Sequence, residues 1–156
     1  MSGPGAPQPS TGRLLTFEVG AGLYALPIAG VLEVVEAGEL VCVPTLPLGL
    51  GGVVNYHGDA LPVLHCAALL EIEVERPAKP EHVLVVSPRG TRSGSLGLPV
   101  DRVLGLVDGR AVPARGSDPV AERRSLAGRL ASLLDPARLV ARARELIERS
   151  AGRPPA

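Results

Sequence analysis

The side chains best suited to chemistry in this chain are its three histidines and two cysteines, types that can ligate zinc or form a Cys–His nucleophile pair. They are Cys42, His57, His65, Cys66 and His82. Their spacing matches no zinc signature, and because His65 and Cys66 are neighbours on a predicted strand, their side chains should point to opposite faces. The sequence shows no carboxylate pair, glycine-rich phosphate loop or serine-centred elbow. We therefore predict a protein that is not an enzyme and has no catalytic residue, metal ligand or cofactor. The alternative, a His/Cys metal-binding protein, would lose its fold on chelation.

Charge and aromatic content argue against nucleic-acid partners. The 156 residues suit a single domain, and the sixteen basic and sixteen acidic side chains cancel. A neutral chain offers no strong field for attracting DNA, RNA or an anionic bilayer. The three aromatic residues, Phe17, Tyr24 and Tyr56, are too few for a platform on which bases stack.

The sequence also predicts a cytoplasmic protein without direct membrane insertion. Cys42 and Cys66 lie among apolar residues and outside any Cys-x-x-Cys pair, so we expect them to be reduced and buried. The N-terminus is rich in Gly, Pro and Ser and does not resemble a signal peptide. Residues 40–58 carry no charge, but prolines and glycines interrupt them too often for a membrane-spanning helix.

Short segments of strand type, separated by turns, must position any functional residues. We predict a disordered tail over residues 1–12, a single domain over 13–150 and a C-terminal tail over 151–156. Residues 71–81 and 108–124 are predicted loops, and the ambiguous residues 29–37 suit one short helix face that leads into a strand. Predicted strands, bounded by turn residues, cover 15–19, 23–28, 40–43, 52–56, 59–64, 82–87, 95–100, 103–107 and 126–134.

A helix is predicted to close the domain. Asp135 is a suitable N-cap and Pro136 suits the first helical position. Leu139, Ala143, Leu146 and Ile147 share one face, which should dock on the strands. Many short strands followed by one helix indicate a mostly-β domain built from small barrels.

The order of these segments resembles the CheW-like family, the adaptors that join bacterial chemoreceptors to a histidine kinase. The resemblance covers about residues 14 to 140. It rests on segments in family order: Phe17-Glu18-Val19, Tyr24-Ala25-Leu26-Pro27-Ile28, Val31-Leu32-Glu33-Val34-Val35, Pro44 and Pro47, Gly52-Val53-Val54-Asn55-Tyr56-His57-Gly58, Leu61-Pro62-Val63-Leu64, Val100-Asp101-Arg102-Val103, and Leu133-Leu134-Asp135-Pro136 with Leu139.

The resemblance implies two small SH3-like five-stranded β-barrels packed side by side, with a C-terminal helix. It also implies partners: the cytoplasmic tip of a methyl-accepting chemoreceptor and the regulatory domain of a CheA-type histidine kinase. Residues expected on or beneath partner-binding surfaces are Val31, Glu33, Gly52, Asn55, His57, Gly58 and Val103. For the valines the alternative is a simple core position, and for the glycines it is turn geometry.

Three departures from the family pattern carry their own predictions. His57 stands where the family has Arg in its Asn-Leu-Arg-Gly motif, so a permanent charge becomes conditional, and we expect a pH-sensitive pair with Glu33. His65 stands where the family has Asp. The span from Asp101 to Asp135 is short, which predicts a reduced second barrel. The alternative function is therefore a reduced CheW-like module that serves one partner class, as a competitor or cluster-forming accessory protein.

Overall fold

The short apolar segments form strands in the computed structural model, which describes residues 12–43, 51–72, 80–88, 94–113 and 115–151. Two helices accompany them: α1, Cys66–Leu70, and α2, Pro136–Ala151. The strands within the described residues are β1, Arg13–Val19; β2, Gly22–Pro27; β3, Val31–Glu36; β4, Cys42–Val43; β5, Gly51–Tyr56; β6, Asp59–Leu64; β7, His82–Val86; β8, Leu96–Val100; β9, Arg102–Asp108; β10, Val120–Leu126; and β11, Arg129–Leu134.

These strands form two sheets. The first sheet has the order β10-β11-β2-β1-β9, and the second has the order β3-β7-β8-β6-β5-β4. Neighbours are antiparallel except β11 with β2 and β6 with β8, which are parallel. The second sheet is built from one continuous stretch of chain, whereas the first sheet combines β1 and β2 with β9, β10 and β11.

The two sheets repeat one plan. In each, an antiparallel hairpin ends in a two-residue turn with positive φ at both positions: His57-Gly58 between β5 and β6, and Ala127-Gly128 between β10 and β11. Positive φ at both central residues defines the type I′ turn, whose twist matches that of antiparallel strands. Each hairpin is followed by a helix, α1 or α2.

The central core lies between the sheets and the helices. It contains Phe17 of β1, Leu84 of β7 and Leu139 of α2, each fully buried. Each sheet also encloses a smaller cluster of its own, around Leu14 and Leu133 in the first sheet and around Val54 and Val85 in the second. Strand β1 therefore contributes alternate side chains to two cores, and both of its faces are buried.

Helix α2 docks as the sequence predicts. The Asp135 side chain accepts a hydrogen bond from the backbone N–H of Ala137 at 2.9 Å, which confirms the N-cap. Leu139 and Ala143 are buried in the central core, and Leu146 and Ile147 pack against it. The start of the helix lies so close to the turn at Gly30 that a Cβ there would meet the Pro136 ring at 2.4 Å.

The structure corrects three expectations. The span from Asp101 to Asp135, which was predicted to lack a strand, contains β10, so the first sheet has five strands. Each sheet with its own small core is one lobe of the domain, and the lobe built on the first sheet is therefore not a reduced barrel. Hydrogen bonding among the described residues leaves β9 and β10 at the edges, so the lobe is a curled, packed sheet and not a closed barrel. His65 and Cys66 are not on one strand, because His65 is the N-cap of α1 and Cys66 begins that helix.

Other predictions are confirmed in outline. The fold is mostly β with one long C-terminal helix, and the hairpin around His57-Gly58 forms as expected. Residues 28–36 resolve into a 3-10 turn over Ile28–Gly30 followed by β3. Residues 1–11 of the tail predicted over 1–12, residues 152–156 of the tail predicted over 151–156, and most of the loop predicted over 71–81 lie outside the described residues. Ala151, predicted to belong to the C-terminal tail, instead ends α2.

Candidate partner-binding site

A cluster of three side chains joins two strands that are far apart in the order of the second sheet. Glu33 lies on β3, an edge strand, and Tyr56 ends β5, near the opposite edge. The Tyr56 hydroxyl donates a hydrogen bond to Glu33 Oε1 at 2.6 Å, and His57 Nε2 lies 3.6 Å from the same oxygen. Because the edges meet through these side chains, the sheet must curl strongly. The structure thus brings together the two residues, Glu33 and His57, that the sequence predicts to be a pair.

The cluster has one buried and two exposed members. The Tyr56 ring is buried, whereas the Glu33 and His57 side chains are 46% and 75% exposed. The two rings contact edge to face, with centroids 4.4 Å apart. Burial first, and then the hydrogen bond to Glu33, raise the pKa of Tyr56 to about 12. Tyr56 is therefore a neutral donor at physiological pH, and it holds the Glu33 carboxylate beside a histidine whose charge depends on protonation.

The hairpin tip presents His57 in a restricted backbone conformation. His57 has φ of 49° and Gly58 has φ of 86°, the left-handed region that favours glycine. Asn55 Oδ1 accepts a hydrogen bond from the backbone N–H of Gly58 at 2.9 Å, which fixes the turn from within. Asn55, His57 and Gly58 are all exposed, so a rigid, polar tip faces outward from the second sheet.

The three remaining predicted residues lie beneath the surface. Gly52 is buried within β5, opposite Val63 of β6. Val31 and Val103 are partly buried and pack against the central core. These two valines occupy matching positions, each beside a register shift, where β3 meets β7 and where β9 meets β1. The structure therefore gives all three a packing role, and it places the exposed groups at Glu33, Asn55, His57 and Gly58.

The matching position in the first sheet lacks the polar cluster. Gly105 lies two residues after Val103 on β9, just as Glu33 lies two residues after Val31 on β3, so Gly105 corresponds to Glu33. Ala127 is the first residue of the β10–β11 turn and His57 is the first residue of the β5–β6 turn, so these two residues also correspond. With Gly105 and Ala127 at these positions, β9 and the β10–β11 hairpin border a small opening of about 210 Å³, whose lining also includes Arg129. Leu104 and Leu106 on β9 are 44% and 47% exposed beside it. The two lobes thus offer chemically different ends, one polar and one apolar.

An apolar groove adjoins the polar hairpin tip, and sequence reasoning missed it. Val41 is 81% exposed and Val43 is 54% exposed, and with Val53 they line a groove of about 550 Å³ that extends to Asn55 and Gly58. The uncharged stretch over residues 40–58 contains the signal for this groove, because apolar residues that do not form a membrane-spanning helix can form an exposed binding surface. An exposed apolar patch beside polar groups is typical of protein-binding surfaces.

The histidines and cysteines considered for chemistry are scattered. Cys66 is buried, and the apolar surroundings raise the pKa of its thiol to about 12, so that it is an unreactive thiol at neutral pH. His65 is exposed at the start of α1, and His57 is exposed at the hairpin tip. Within the described part of the chain, no group of three or more His, Cys, Asp or Glu side chains is placed to hold a metal ion. The side chain of Cys42 lies outside the described set.

The two curled sheets, the terminal helix and the polar and apolar surfaces at the lobe ends define a β-rich binding module. The CheW-like domain model matches residues 13–144, and the chain therefore belongs to the CheW-like family. No curated protein matches the chain. A solved structure with a similar fold is scaffolding protein TtCheW from Thermoanaerobacter tengcongensis, at 21% identity over 80% of this chain and 88% of that chain, with a TM-score of 0.62.

None of the described helices is both long enough and apolar enough to cross a membrane.

Proposed function

We propose that this protein is a non-enzymatic adaptor of a bacterial chemosensory system, which links methyl-accepting receptors to a CheA-type histidine kinase. In this role it acts in the cytoplasm at receptor clusters. The observation that carries the proposal is the Glu33–Tyr56–His57 cluster, whose Glu33 and His57 side chains are exposed on the second sheet, in a chain of the CheW-like family. Adaptors act through such preformed surfaces, because a surface already held in its bound geometry loses less entropy on association.

The complete first sheet bears on which partners to expect. An adaptor that serves one partner class was considered because residues 108–126 were expected to lack a strand. Since β10 forms, with six of its seven residues paired to β11, that reason no longer holds. Both lobes offer an intact end, polar on one and apolar on the other. We therefore expect the protein to bind both partner classes.

The first test is binding to each partner separately. Calorimetry of the purified protein against a receptor cytoplasmic tip and against the regulatory domain of a CheA-type kinase should give saturable binding to both. Glu33→Ala should weaken binding to at least one of them by roughly tenfold, the usual effect of truncating a contributing interface residue. Tyr56→Phe should have a smaller effect, because it removes only the bond that orients Glu33.

A control variant separates a local effect from a general one. Glu148 is exposed on α2, far along the chain from the cluster, and Glu148→Ala removes the same charge. It should leave both affinities unchanged, and all variants should unfold at denaturant concentrations close to that of the parent protein. Absence of binding to both partners, or equal losses for Glu33→Ala and Glu148→Ala, would contradict the proposal.

A further inference from the structure

A recessed cavity lies between the first sheet and the two helices, remote from the polar hairpin tip. Its volume is about 370 Å³, which suits a small molecule. One wall is the face of three adjacent strands, β10, β11 and β2. Another wall is formed by the end of α1 with Leu69 and Ile72, and the loop before β10 completes the rim. The floor is deep, because Tyr24 and Leu69 are buried.

Three polar side chains stand side by side on the strand wall. Arg123 of β10 is paired in register with Ser132 of β11, and Ser132 is paired with Tyr24 of β2. Residues paired in this way share one face of the sheet, and all three line the cavity. They form a row that runs from a guanidinium at the rim, through an aliphatic hydroxyl, to a phenol at the floor.

The donors of this row are free to bind a ligand. Among the described residues, neither the Tyr24 hydroxyl nor the Ser132 hydroxyl has a hydrogen-bond partner, and Arg123 has no carboxylate within ion-pair distance. Burial, and then Cys66, raise the pKa of Tyr24 above its ordinary value, and the nearby charge of Arg123 offsets part of the rise, so the phenol is a proton donor and not an anion at neutral pH. Both hydroxyls keep some contact with solvent, so a ligand in the cavity can reach them.

The other charges around the cavity are already balanced or lie at its edge. Arg142 is the second guanidinium of the lining. Its Nη2 lies 2.9 Å from Glu71 and its Nη1 lies 3.7 Å from Glu145, whereas its buried Nε has no hydrogen-bond partner among the described residues. Asp118 is exposed at the rim, and its Oδ1 accepts a hydrogen bond from the Val120 N–H at 2.9 Å. Among the described residues that line the cavity, the single positive charge without a carboxylate partner is therefore Arg123, and the negative charge of Asp118 disfavours ligands with two negative charges.

We propose that this cavity binds a small organic monocarboxylate, whose carboxylate accepts hydrogen bonds from Arg123, Ser132 and Tyr24. The apolar part of the ligand lies against Leu69, Leu70 and Ile72, which line the opposite side. A guanidinium and two hydroxyls satisfy one carboxylate, since its two oxygens offer about four acceptor positions. The depth of the floor favours a free molecule over the acidic side chain of a partner protein.

The test uses the full chain and sodium propionate as the probe, with propionamide as its neutral isostere and inorganic phosphate as a dianion. In ¹H–¹⁵N spectra, propionate should shift the amides of Ile72, Val120 and Ser132 in a saturable manner. Propionamide and phosphate should bind at least tenfold more weakly. A glycine-flanked glutamate peptide presents the same carboxylate on a polypeptide, and it should also bind more weakly than propionate.

Two pairs of variants locate the site. Tyr24→Phe removes one hydroxyl and keeps the ring, whose stacking on Phe17 has a centroid distance of 6.0 Å, so the variant should fold. It should weaken propionate binding by roughly tenfold, whereas Tyr56→Phe, the same change outside the cavity, should not. Arg123→Gln should abolish the preference for propionate over propionamide, and Arg144→Gln, on the exposed face of α2, should preserve it.

The proposal is overturned if propionate produces no saturable shift at these amides. It is equally overturned if phosphate, propionamide or the peptide binds as tightly as propionate, or if Tyr24→Phe and Arg123→Gln bind propionate as the parent protein does.

Discussion

Alkaline pH should destabilise this protein through the buried thiol of Cys66. Burial, and then the nearby charge of Asp101, raise the pKa of this thiol from 9.0 to about 12. The folded state thus prefers the neutral thiol. The resulting stabilisation is fully present below about pH 9, the pKa in the unfolded chain, and is lost as the pH rises through the folded value of about 12.

The magnitude follows from the difference between the two pKa values, which corresponds to about 4 kcal/mol. Tyr56 adds a loss of the same sign between about pH 10 and 12, because its pKa is also raised to about 12. Its hydroxyl lies beside the half-exposed Glu33, so solvent screening reduces this contribution to about 1–2 kcal/mol. Together these losses are a large part of the 5–15 kcal/mol that stabilises a typical domain.

The assay is urea unfolding, followed by circular dichroism at a series of pH values from about 8 to 12, in the presence of a reductant. The chain suits this measurement because it contains a single lysine, Lys79, so few other side chains titrate in this range. Cys66→Ala should be less stable than the parent at pH 8 by about 1–2 kcal/mol, and should then lose about 4 kcal/mol less on going to pH 12. Cys42 is present in both proteins, and its titration cancels in the comparison.

Tyr56→Phe is the second arm of the experiment and should reduce the alkaline loss by about 1–2 kcal/mol. If Cys66→Ala loses as much stability between pH 8 and 12 as the parent does, the Cys66 thiol is not a buried group that resists ionisation. The reasoning from burial to alkaline sensitivity is then wrong.

Three further predictions concern the terminal helix, the second turn and the histidine. Leu139→Ala should lower the free energy of unfolding by about 3–5 kcal/mol, since this side chain is fully buried. Leu146→Asp should lower it by a few kcal/mol, because it places a charge at a partly buried position. Unchanged melting temperatures for both variants would mean that α2 is not docked. Ala127→Gly should stabilise the protein by about 0.5–1 kcal/mol, because Ala127 has φ of 50° in a tight turn; chemical denaturation showing a loss would contradict that account. His57→Arg should strengthen partner binding at pH 8 more than at pH 6, because arginine stays charged where histidine is neutral; an equal gain at both pH values, measured by calorimetry, would refute the charge argument.

Much of the architecture could be predicted because it follows from local patterns. The period-two segments become strands, the two-residue turn at His57-Gly58 closes a hairpin, and Asp135 caps the helix it precedes. Strand β10 was missed because most of its side chains are polar. Its apolar residues are near its ends, and its central Glu122, Arg123 and Arg124 resemble a surface loop in sequence. What makes it a strand is pairing with β11, which a local pattern does not contain.

The candidate site could be predicted in part for a different reason. The pairing of Glu33 with His57 came from the family pattern, and the structure places the two side chains together. The role of Tyr56 could not be read from sequence, because its partner is 23 residues away on the other edge of a curled sheet. The cavity lined by Arg123, Ser132 and Tyr24 was also unpredictable, since it depends on the parallel pairing of β2, near the start of the domain, with β11, near its end.

The nesting of the second sheet within the chain segments of the first has a consequence for synthesis on the ribosome. The second sheet spans residues 31–100 and can form before β9 has been made, whereas the β1–β2 hairpin, although translated first, must wait for β9 and β11. An isolated hairpin is marginally stable in water, and the residues of this one are largely buried on both faces in the folded protein. Until the last strand is translated, the hairpin can bury the side that carries Phe17 against the side of the second sheet that carries Leu84 and Leu98. In a chain that stops before β11, one edge of β2 has no partner strand. Such an exposed edge favours aggregation, so we expect the truncated chain to aggregate and not to fold as a smaller domain.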